Sequence, residues 1–568
     1  MAAAKRWIKK SCDEAFADLL VKELRISPLL ASLLSMRKIK SLEEAHHFLN
    51  PSLKSLTDPL AFSSMKEGLE RIAEAIIQGE HIGLFGDYDV DGVCSTAILE
   101  QFLHSIGANV VSTLPNRLKE GYGLSIAGVD RLKEAKATLL ITLDCGALAH
   151  SQIEYANNLL LDVIVVDHHT MGATLPQAFA TINPKRHDCA SDASYLCAAG
   201  VTFFLILGLR RALRERGFFA TRPEPDVREL LDLVALATVC DVVPLVKHNR
   251  SLVKAGLKAI KVGQRVGLKA LLNICGIDPA KISSTNLGFH LGPRINAAGR
   301  LEDATLALRL LGASDMPEAE HCASLLHSIN EERKALEQQT VEEAEAMAQA
   351  YIELPQALVL HDERWHPGVV GIVASRIAER FHRPSIIIGE NGKGSGRSIK
   401  GIDLHAMVEK ASSTLIGFGG HSHAIGLHLG PQGAAAFRES LNAIIAEHTP
   451  QEIFHKELFY DALLNLNEAT IGLAEELKML EPFGAQNPYP IMRFDRCFMR
   501  NLKKLSFGHL KGELESCNAK ASFIAFRTAI PDELASKALD ILAVVEKNEW
   551  QGRLNVQLRL VDYMISTT

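Results

Sequence analysis

Between residues 81 and 245 apolar and polar positions come in alternating blocks. "HIGLFG" (81–86), "LLITLDCG" (139–146) and "LDVIVVD" (161–167) are short runs rich in β-branched residues, as buried strands require. Segments with helical spacing separate them, such as "STAILEQFLHSIG" (95–107) and "GVDRLKEAKA" (128–137). Strands alternating with helices predict a parallel sheet with helices on both faces. Further helices are expected over 195–216 and 227–240, followed by a long charged stretch at 317–351 that suits a connecting helix better than a core element. Strand–helix alternation resumes at 357–389. After about 450 strand-like runs such as "ASFIAFR" (521–527) and "RLNVQLRLVDY" (553–563) predict a small β-domain.

A chain of 568 residues is too long for one core and should divide into roughly three or four domains. No apolar run approaches the roughly 20 residues of a transmembrane helix, and "MAAAKRWIKKSCDEAF" lacks the apolar stretch of a signal peptide, so no membrane partner and a cytoplasmic location are expected. The ten cysteines include no C-x-x-C pair, which argues against a disulfide framework or a zinc knuckle. A net charge of −6 argues mildly against a general nucleic-acid binder, although a whole-chain sum hides local patches.

Three acidic features share one topological place. "LFGDYDVDG" sets Asp87, Asp89 and Asp91 just after a strand, "ITLDCG" sets Asp144 after the next, and "IVVDHH" sets Asp167, His168 and His169 after a third. Ligands of an open parallel sheet bind beyond the carboxyl ends of its strands. Asp241, ending the apolar run "LATVCD", could reach the same crevice. "DYDVDG" resembles the start of a calcium loop, but Ile98 stands where such a loop needs its glutamate. One aspartate could be a helix cap and one histidine pair could be structural. Clustered together, carboxylates repel one another and resist ionisation, and a cation resolves the conflict. Carboxylates with imidazole and no thiolate suit Mg²⁺ or Mn²⁺, and five or so ligands are enough for two ions. The residues therefore point to a two-metal phosphodiesterase.

"DYDVDG", "LDCG", "DHH" and "CDVVP", in this order, resemble the DHH phosphoesterase superfamily. "PNRLKEGYGL" (115–124), "GPRINAAGRL" (292–301), "WHPGVVGIVASRIAERFHRPSIII" (365–388), "GSGRSI" (394–399), "GGHSHAIG" (419–426), "EPFGAQNPYP" (481–490) and "GHLKGEL" (508–514) narrow the likeness to the bacterial RecJ family, single-strand-specific 5′→3′ DNA exonucleases. The resemblance covers nearly the whole chain. It implies an α/β fold: an N-terminal helical segment (1–75), a parallel-sheet DHH domain (76–315), a connecting helix (316–352), a second α/β domain of DHHA1 type (353–450) and an all-β OB-fold (451–568).

The same resemblance implies Asp89, Asp91, Asp144, His168 and Asp241 as metal ligands, with Asp144 bridging two Mn²⁺ or Mg²⁺ ions. Asp167 would support the site, His169 would face the scissile phosphate, and Asp87 would be a further catalytic acid. Many superfamily members carry a histidine four residues before the first liganding aspartate; Phe85 stands there, as in this family. Ile425 replaces a common alanine. Arg117, Arg294, Arg300 and Arg397, with Asn296, Ser395 and His421, would hold substrate phosphates in a cleft between the two α/β domains, since guanidinium groups in such loops can make bidentate phosphate contacts. "GKGSGRS" (392–398) could add backbone N–H groups for an anion.

Residues 493–511 carry Arg493, Arg496, Arg500, Lys503, Lys504 and Lys511 against one acid, with Phe494, Phe498 and Phe507 interleaved. Basic grooves with aromatic platforms are how OB-folds hold single strands. Arg500, Lys503, Lys504, Phe507 and Lys511 are the expected contacts, and Phe494 and Phe498 are expected in the core. The implied activity is metal-dependent release of 5′-mononucleotides from single-stranded DNA in recombination and mismatch repair, by a monomer working with single-strand-binding protein and a RecQ-type helicase. Two other readings remain: a DHH oligoribonuclease or small-phosphoester hydrolase, against which 451–568 counts, and an inactive DHH replication scaffold, against which the full set of acids counts.

Overall fold

The computed structural model describes residues 5–566 apart from 118–119, 431–432, 506–507, 527–529, 532–533, 535 and 551. Strand β1 (Lys5–Lys9) precedes three short helices, α1 (Glu14–Leu24), α2 (Pro28–Met36) and α3 (Leu42–Leu49). Each helix opens on a side-chain cap, from Asp13, Ser27 and Ser41 in turn. Helix α4 (Met65–Gln78) then leads into the first sheet. The chain forms two units, a larger one of Lys9–Gly299, Asp303–Leu326 and Phe459–Thr568, and a smaller one of Met1–Ile8, Arg300–Glu302 and His327–Leu458.

The first sheet, in the larger unit, has five parallel strands: β2 (His81–Gly86), β3 (Asn109–Thr113), β4 (Leu139–Leu143), β5 (Asp162–Val166) and β6 (Ala180–Ile182). Successive side chains feed two cores, as the two-residue period requires. Ile82, Leu84, Ile141, Leu143, Ile164 and Val166 pack with α4, α5 (Val90–Ser105), α8 (Ala198–Glu215) and α9 (Leu231–Cys240). Phe85, Leu140, Val163 and Val165 pack with α6 (Ile126–Glu134) and α7 (His150–Asn158). The strand order β3-β2-β4-β5-β6 reverses direction at β2 and β4, and the crevice beyond their carboxyl ends is the position such sheets use for ligands. Strands β3 and β6 are additions to the sequence reading. Helix α5 begins at Val90, earlier than expected, because the Asp89 side chain caps it by accepting from the Asp91 and Gly92 amides.

After α9 come α10 (Lys247–Val262), α11 (Val266–Ile274), the short α12 (Ser284–Asn286), a π-helical turn at Leu287–Leu291, α13 (Gly292–Leu301), α14 (Thr305–Gly312) and the 34-residue α15 (Met316–Gln349). The smaller unit has a mixed sheet ordered β10-β11-β9-β8-β7: β7 (Leu358–His361), β8 (Ser385–Ile388), β9 (Lys393–Arg397), β10 (Leu415–His421) and β11 (Ala424–Leu429). Helices α16 (Pro367–Phe381), α17 (Leu404–Lys410) and α18 (Ala434–His448) accompany it. Trp365 is buried against α15 and donates from Nε1 to Glu343 (2.8 Å).

Strand β12 (Lys456–Tyr460) pairs with β1, and the remaining strands form a barrel: β13 (Ala462–Leu463), β14 (Met492–Leu505), β15 (His509–Ser516), β16 (Ala519–Ala525), β17 (Leu539–Trp550) and β18 (Arg553–Ile565). Pairing of β14 with β17 closes it, and α19 (Ile471–Leu477) packs against β17. The barrel shares one apolar core with α1–α3, including Leu20, Leu30, Leu33, Phe494 and Phe523.

The segment 480–489 ties this body to α10 and the elements around it. The buried Arg250 of α10 donates to four carbonyls, those of Phe48, Leu480, Glu481 and Pro482, and its guanidinium lies 3.6 Å from the Phe48 ring centre. Arg37 donates to Asn487 Oδ1 (2.7 Å) and the Pro488 carbonyl (2.9 Å). Leu245 N–H donates to the Ala485 carbonyl (2.9 Å), and Ser284 Oγ donates to that of Phe483 (2.6 Å). "EPFGAQNPYP" is thus a structural strap.

Candidate metal centre

The three carboxyl ends converge as the motifs imply. Asp87 and Asp144 leave β2 and β4 side by side, the Asp87 N–H donating to the Leu143 carbonyl and the Asp144 N–H to that of Val166. Asp144 has φ +63°, a left-handed conformation that aspartate tolerates better than most residues and that turns its carboxylate back over the sheet edge.

Asp91 sits in the first turn of α5, fully buried, yet its partners lie across the fold. Its two oxygens accept from the Ala198 (2.6 Å) and Ala199 (2.8 Å) amides at the start of α8, whose own N-cap, Cys197, supplies no side-chain bond. An acid there caps the helix and meets its positive end. Asp241 ends α9 at its C-cap and points into the same crevice.

His168 joins these acids. Its Nε2 is 3.3 Å from Asp144 Oδ1 and 3.6 Å from both Asp91 Oδ2 and Asp241 Oδ2. Burial, with His169 adding to it, depresses the ring to about 3, so it is neutral and free to ligate. Asp167 faces away from this group. Its Oδ1 accepts from the His168 amide (2.7 Å), the His169 amide (3.0 Å) and His169 Nδ1 (2.8 Å), and its Oδ2 accepts from the Ala147 amide (2.9 Å). Burial opposes its charge, but these donors, His169 first, hold it down to about 2. Burial also works against a charged His169, and the bond to Asp167 outweighs it, raising the ring.

The other acids carry the opposite strain. Burial first, then neighbouring carboxylates, lifts Asp87 to about 8, Asp91 to about 7, Asp241 to about 9 and Asp144 well above the usual range. Asp87 Oδ2, Asp144 Oδ1, His168 Nε2 and Asp241 Oδ2 are buried without a hydrogen bond among the described residues. Two sets of ligand atoms lie within 4.8 Å of one another, Asp87/Asp89/Asp144 and Asp91/His168/Asp241, and Asp144 also groups with the two histidines. Orphaned hard donors in this arrangement fit divalent cations.

Tyr122 escaped the sequence reading. It stands between Gly121 (φ +85°) and Gly123 (φ +79°), whose left-handed turns present its ring to solvent. Its hydroxyl is 3.0 Å from His169 Nε2, and the Gly123 amide donates to Asp87 Oδ1 (3.4 Å). Tyr88 meets Tyr122 edge-on, and Arg117 lies 5.1 Å from the Tyr88 ring centre. The flanking glycines in "EGYGL" were the available signal.

The expected phosphate residues divide between the units. Arg294, in the larger unit, is buried, with Nη1 donating to the His290 carbonyl (2.7 Å) and Nε unbonded among the described residues. Asn296 has a structural use: its Oδ1 accepts from the Val90 amide (3.1 Å) and anchors the start of α5. In the smaller unit Arg300 donates to the Gly368 carbonyl (3.3 Å), and Arg397 donates to Ser395 Oγ (2.9 Å). A Cβ on Gly371 would lie 3.2 Å from that Oγ and 3.4 Å from the Arg397 guanidinium, so both side chains gather at the first turns of α16. His421 shares their ladder row, pairing with Ala424, which pairs with Arg397.

Two expectations need correction. "GKGSGRS" is not an anion-binding turn: residues 393–397 form β9, and its amides serve ladders to β8 and β11. Phe494 is in the barrel core, but Phe498 alternates with the buried Cys497 and Met499, faces outward and lies under Arg500, 5.4 Å from its ring centre. Arg500 pairs with Glu515 (3.0 Å). Lys503 and Lys511 sit directly opposite each other on β14 and β15, with Lys504 opposite Leu510. Phe507 lies outside the described residues.

Profiles of three families match the chain: "DHH family, N-terminal domain" over 81–238, "DHHA1 domain" over 349–447 and "RecJ OB domain" over 460–562. The single-stranded-DNA-specific exonuclease RecJ of Salmonella typhimurium is 37% identical over 560 residues, covering 94% of this chain and 96% of the relative. That of Bacillus subtilis is 34% identical over 575 residues, covering 100% and 72%. The crystal structure of RecJ from Thermus thermophilus in complex with Mn²⁺ matches with TM-score 0.83 and 30% identity over 100% of this chain and 80% of that one. The complex of the same protein with Mg²⁺ matches with TM-score 0.76 and 28% identity over 100% and 79%. Among the described residues no helix is long and apolar enough to cross a membrane.

Proposed function

The chain belongs to the RecJ family of single-stranded-DNA-specific exonucleases, and from that premise we propose how its crevice cuts DNA. It is a hydrolase of phosphodiester bonds in single-stranded DNA. Asp87, Asp89 and Asp144 would hold one divalent cation and Asp91, His168 and Asp241 a second, with Asp144 shared. Asp87, expected as a catalytic acid, would then be a ligand in its own right. The convergence of four buried, unbonded ligand atoms on one crevice carries this reading. Mn²⁺ or Mg²⁺ bound there supplies an activated water and charge stabilisation for the departing 3′-oxygen.

The chain's own groups do the rest. Asp167 favours the protonated form of His169 through Nδ1, and Nε2 lies against the Tyr122 hydroxyl. From there His169 donates to the scissile phosphate or to the leaving 3′-oxygen. Arg117 takes a backbone phosphate. In the smaller unit Ser395, Arg397 and Arg300 near the first turns of α16, with His421 on the same ladder row, would bind a substrate phosphate, and the reading takes the products to be 5′-mononucleotides released in the 5′→3′ direction. On the barrel, the Lys503–Lys511 pair places like charges face to face, an arrangement that costs stability unless an anion lies across it. A single strand supplies that anion. The same reading makes the protein a monomer that meets its substrate with single-strand-binding protein and a RecQ-type helicase in recombination and mismatch repair.

The test uses one oligonucleotide labelled at either end, with Mn²⁺ or EDTA and an Asp144→Ala control. Immediate release of the 5′ label as mononucleotide, with the 3′-labelled product shortening stepwise, supports the reading. Cleavage confined to very short RNAs, or no metal-dependent cleavage, refutes it.

A further inference from the structure

Strand β6 ends at the same level as the acid crevice, because the Asp167 amide donates to the Ile182 carbonyl (3.1 Å). The loop that follows, "NPKRHD", is held to the metal centre. Asn183 is fully buried, donates from Nδ2 to the His169 carbonyl (3.0 Å) and accepts the Lys185 amide on Oδ1 (2.8 Å). The turn is closed again by the Arg186 amide donating to the Asn183 carbonyl (3.2 Å). Lys185 is therefore fixed at the backbone, and its side chain is exposed.

The adjoining cation is committed. Arg186 forms a two-pronged pair with Asp188 and also donates to Ser64 Oγ (2.9 Å) and the Thr181 carbonyl (2.6 Å). Lys185 has no hydrogen bond or ion pair from its ammonium group to any described residue. An exposed ammonium held by a rigid turn at the rim of a crevice, with no carboxylate of its own, is arranged for an incoming anion.

We propose that Lys185 is a substrate-binding residue that contacts a backbone phosphate of the bound single strand at the rim of the crevice beside the His168–His169 turn. The proposal rests on the crevice being the phosphodiester-cleaving centre. Lysine suits the role as a compact point charge that tolerates sliding between successive phosphates, whereas a guanidinium fork would favour one geometry.

The experiment measures kcat/KM for a 5′-phosphorylated single strand with Mn²⁺ at several KCl concentrations, for the unaltered protein, Lys185→Ala, Lys185→Gln and Lys185→Arg. Mn²⁺ affinity is measured separately on each. Expected are a roughly tenfold loss at low salt for the Ala and Gln variants, mostly in KM, and recovery of most of it by Arg. The log–log salt dependence should become shallower by about 0.7, the increment for one phosphate contact on a single strand. Mn²⁺ affinity should stay within about twofold. Salt slopes parallel to that of an active unaltered protein overturn the proposal. A large fall in Mn²⁺ affinity also overturns it, because the lysine then organises the metal site instead of touching DNA. If the unaltered protein shows no metal-dependent cleavage, the reading of the crevice itself falls.

Discussion

Asp167→Asn isolates the carboxylate that supports the histidine pair. Four N–H groups converge on its two oxygens, three on Oδ1 and one on Oδ2, all buried. An asparagine of the same shape has one acceptor and one donor end, so its amide must oppose either the Ala147 N–H alone or the three donors from His168 and His169. It will choose the first. One buried donor then loses its partner, which costs about 1–3 kcal/mol, and the other three bonds lose their charge assistance. Together these should destabilise the protein by roughly 3 kcal/mol. His169 keeps a bonded Nδ1 but loses the anion that favours its proton. Losing such an outer partner typically costs 10–100-fold in activity or metal affinity, so kcat should fall by about that factor. Chemical denaturation gives the first number, and steady-state kinetics at saturating Mn²⁺ gives the second. An Asp167→Asn enzyme within about threefold of the unaltered kcat would refute the reasoning, because the charge on Asp167 would then be irrelevant to His169.

Four further outcomes are expected. Asp144→Asn should abolish metal-dependent cleavage yet raise the melting temperature in EDTA, since it removes a carboxylate whose charge is opposed by burial and by Asp91, Asp89, Asp87 and Asp241; calorimetry decides. Adding Mn²⁺ to a metal-stripped sample should stabilise the folded state, by about 2.7 kcal/mol at a hundredfold excess over Kd, visible as a concentration-dependent melting temperature. Tyr122→Phe should lower kcat several-fold with little change in Mn²⁺ affinity, because only the hydroxyl against His169 is lost. Lys503→Ala with Lys511→Ala should raise KM on long strands while leaving the barrel at least as stable, since a like-charged pair is removed; binding isotherms and thermal melts test both halves.

The buried strands and the acids at their ends were readable because continuous aliphatic runs ending in Asp or His have few alternative explanations. Strands β3 and β6 escaped because "NVVST" is half polar and "ATI" is too short to show a period; both are fixed by pairing with β2 and β5. The roles of Asp91 and Asn296 in anchoring α8 and α5 depend on contacts across the fold, which local spacing cannot reveal. "GKGSGRS" has the composition of a loop, yet tertiary pairing makes it a central strand, and its glycines lie under Ile388, Leu404, Ile425 and Leu427, where side chains would not fit. Lys185 carried no signal in the sequence because its meaning depends on which neighbours are already paired.

The Arg250 clamp also fixes an order of events during synthesis. That arginine emerges from the ribosome 230 residues before the Leu480 carbonyl that receives it. Until the strap arrives, a guanidinium destined for burial lacks most of its acceptors, and the turn after Asp241 lacks the bond that Leu245 makes to Ala485. The turn after Asp241 therefore gains this tie only once residue 485 has been synthesised.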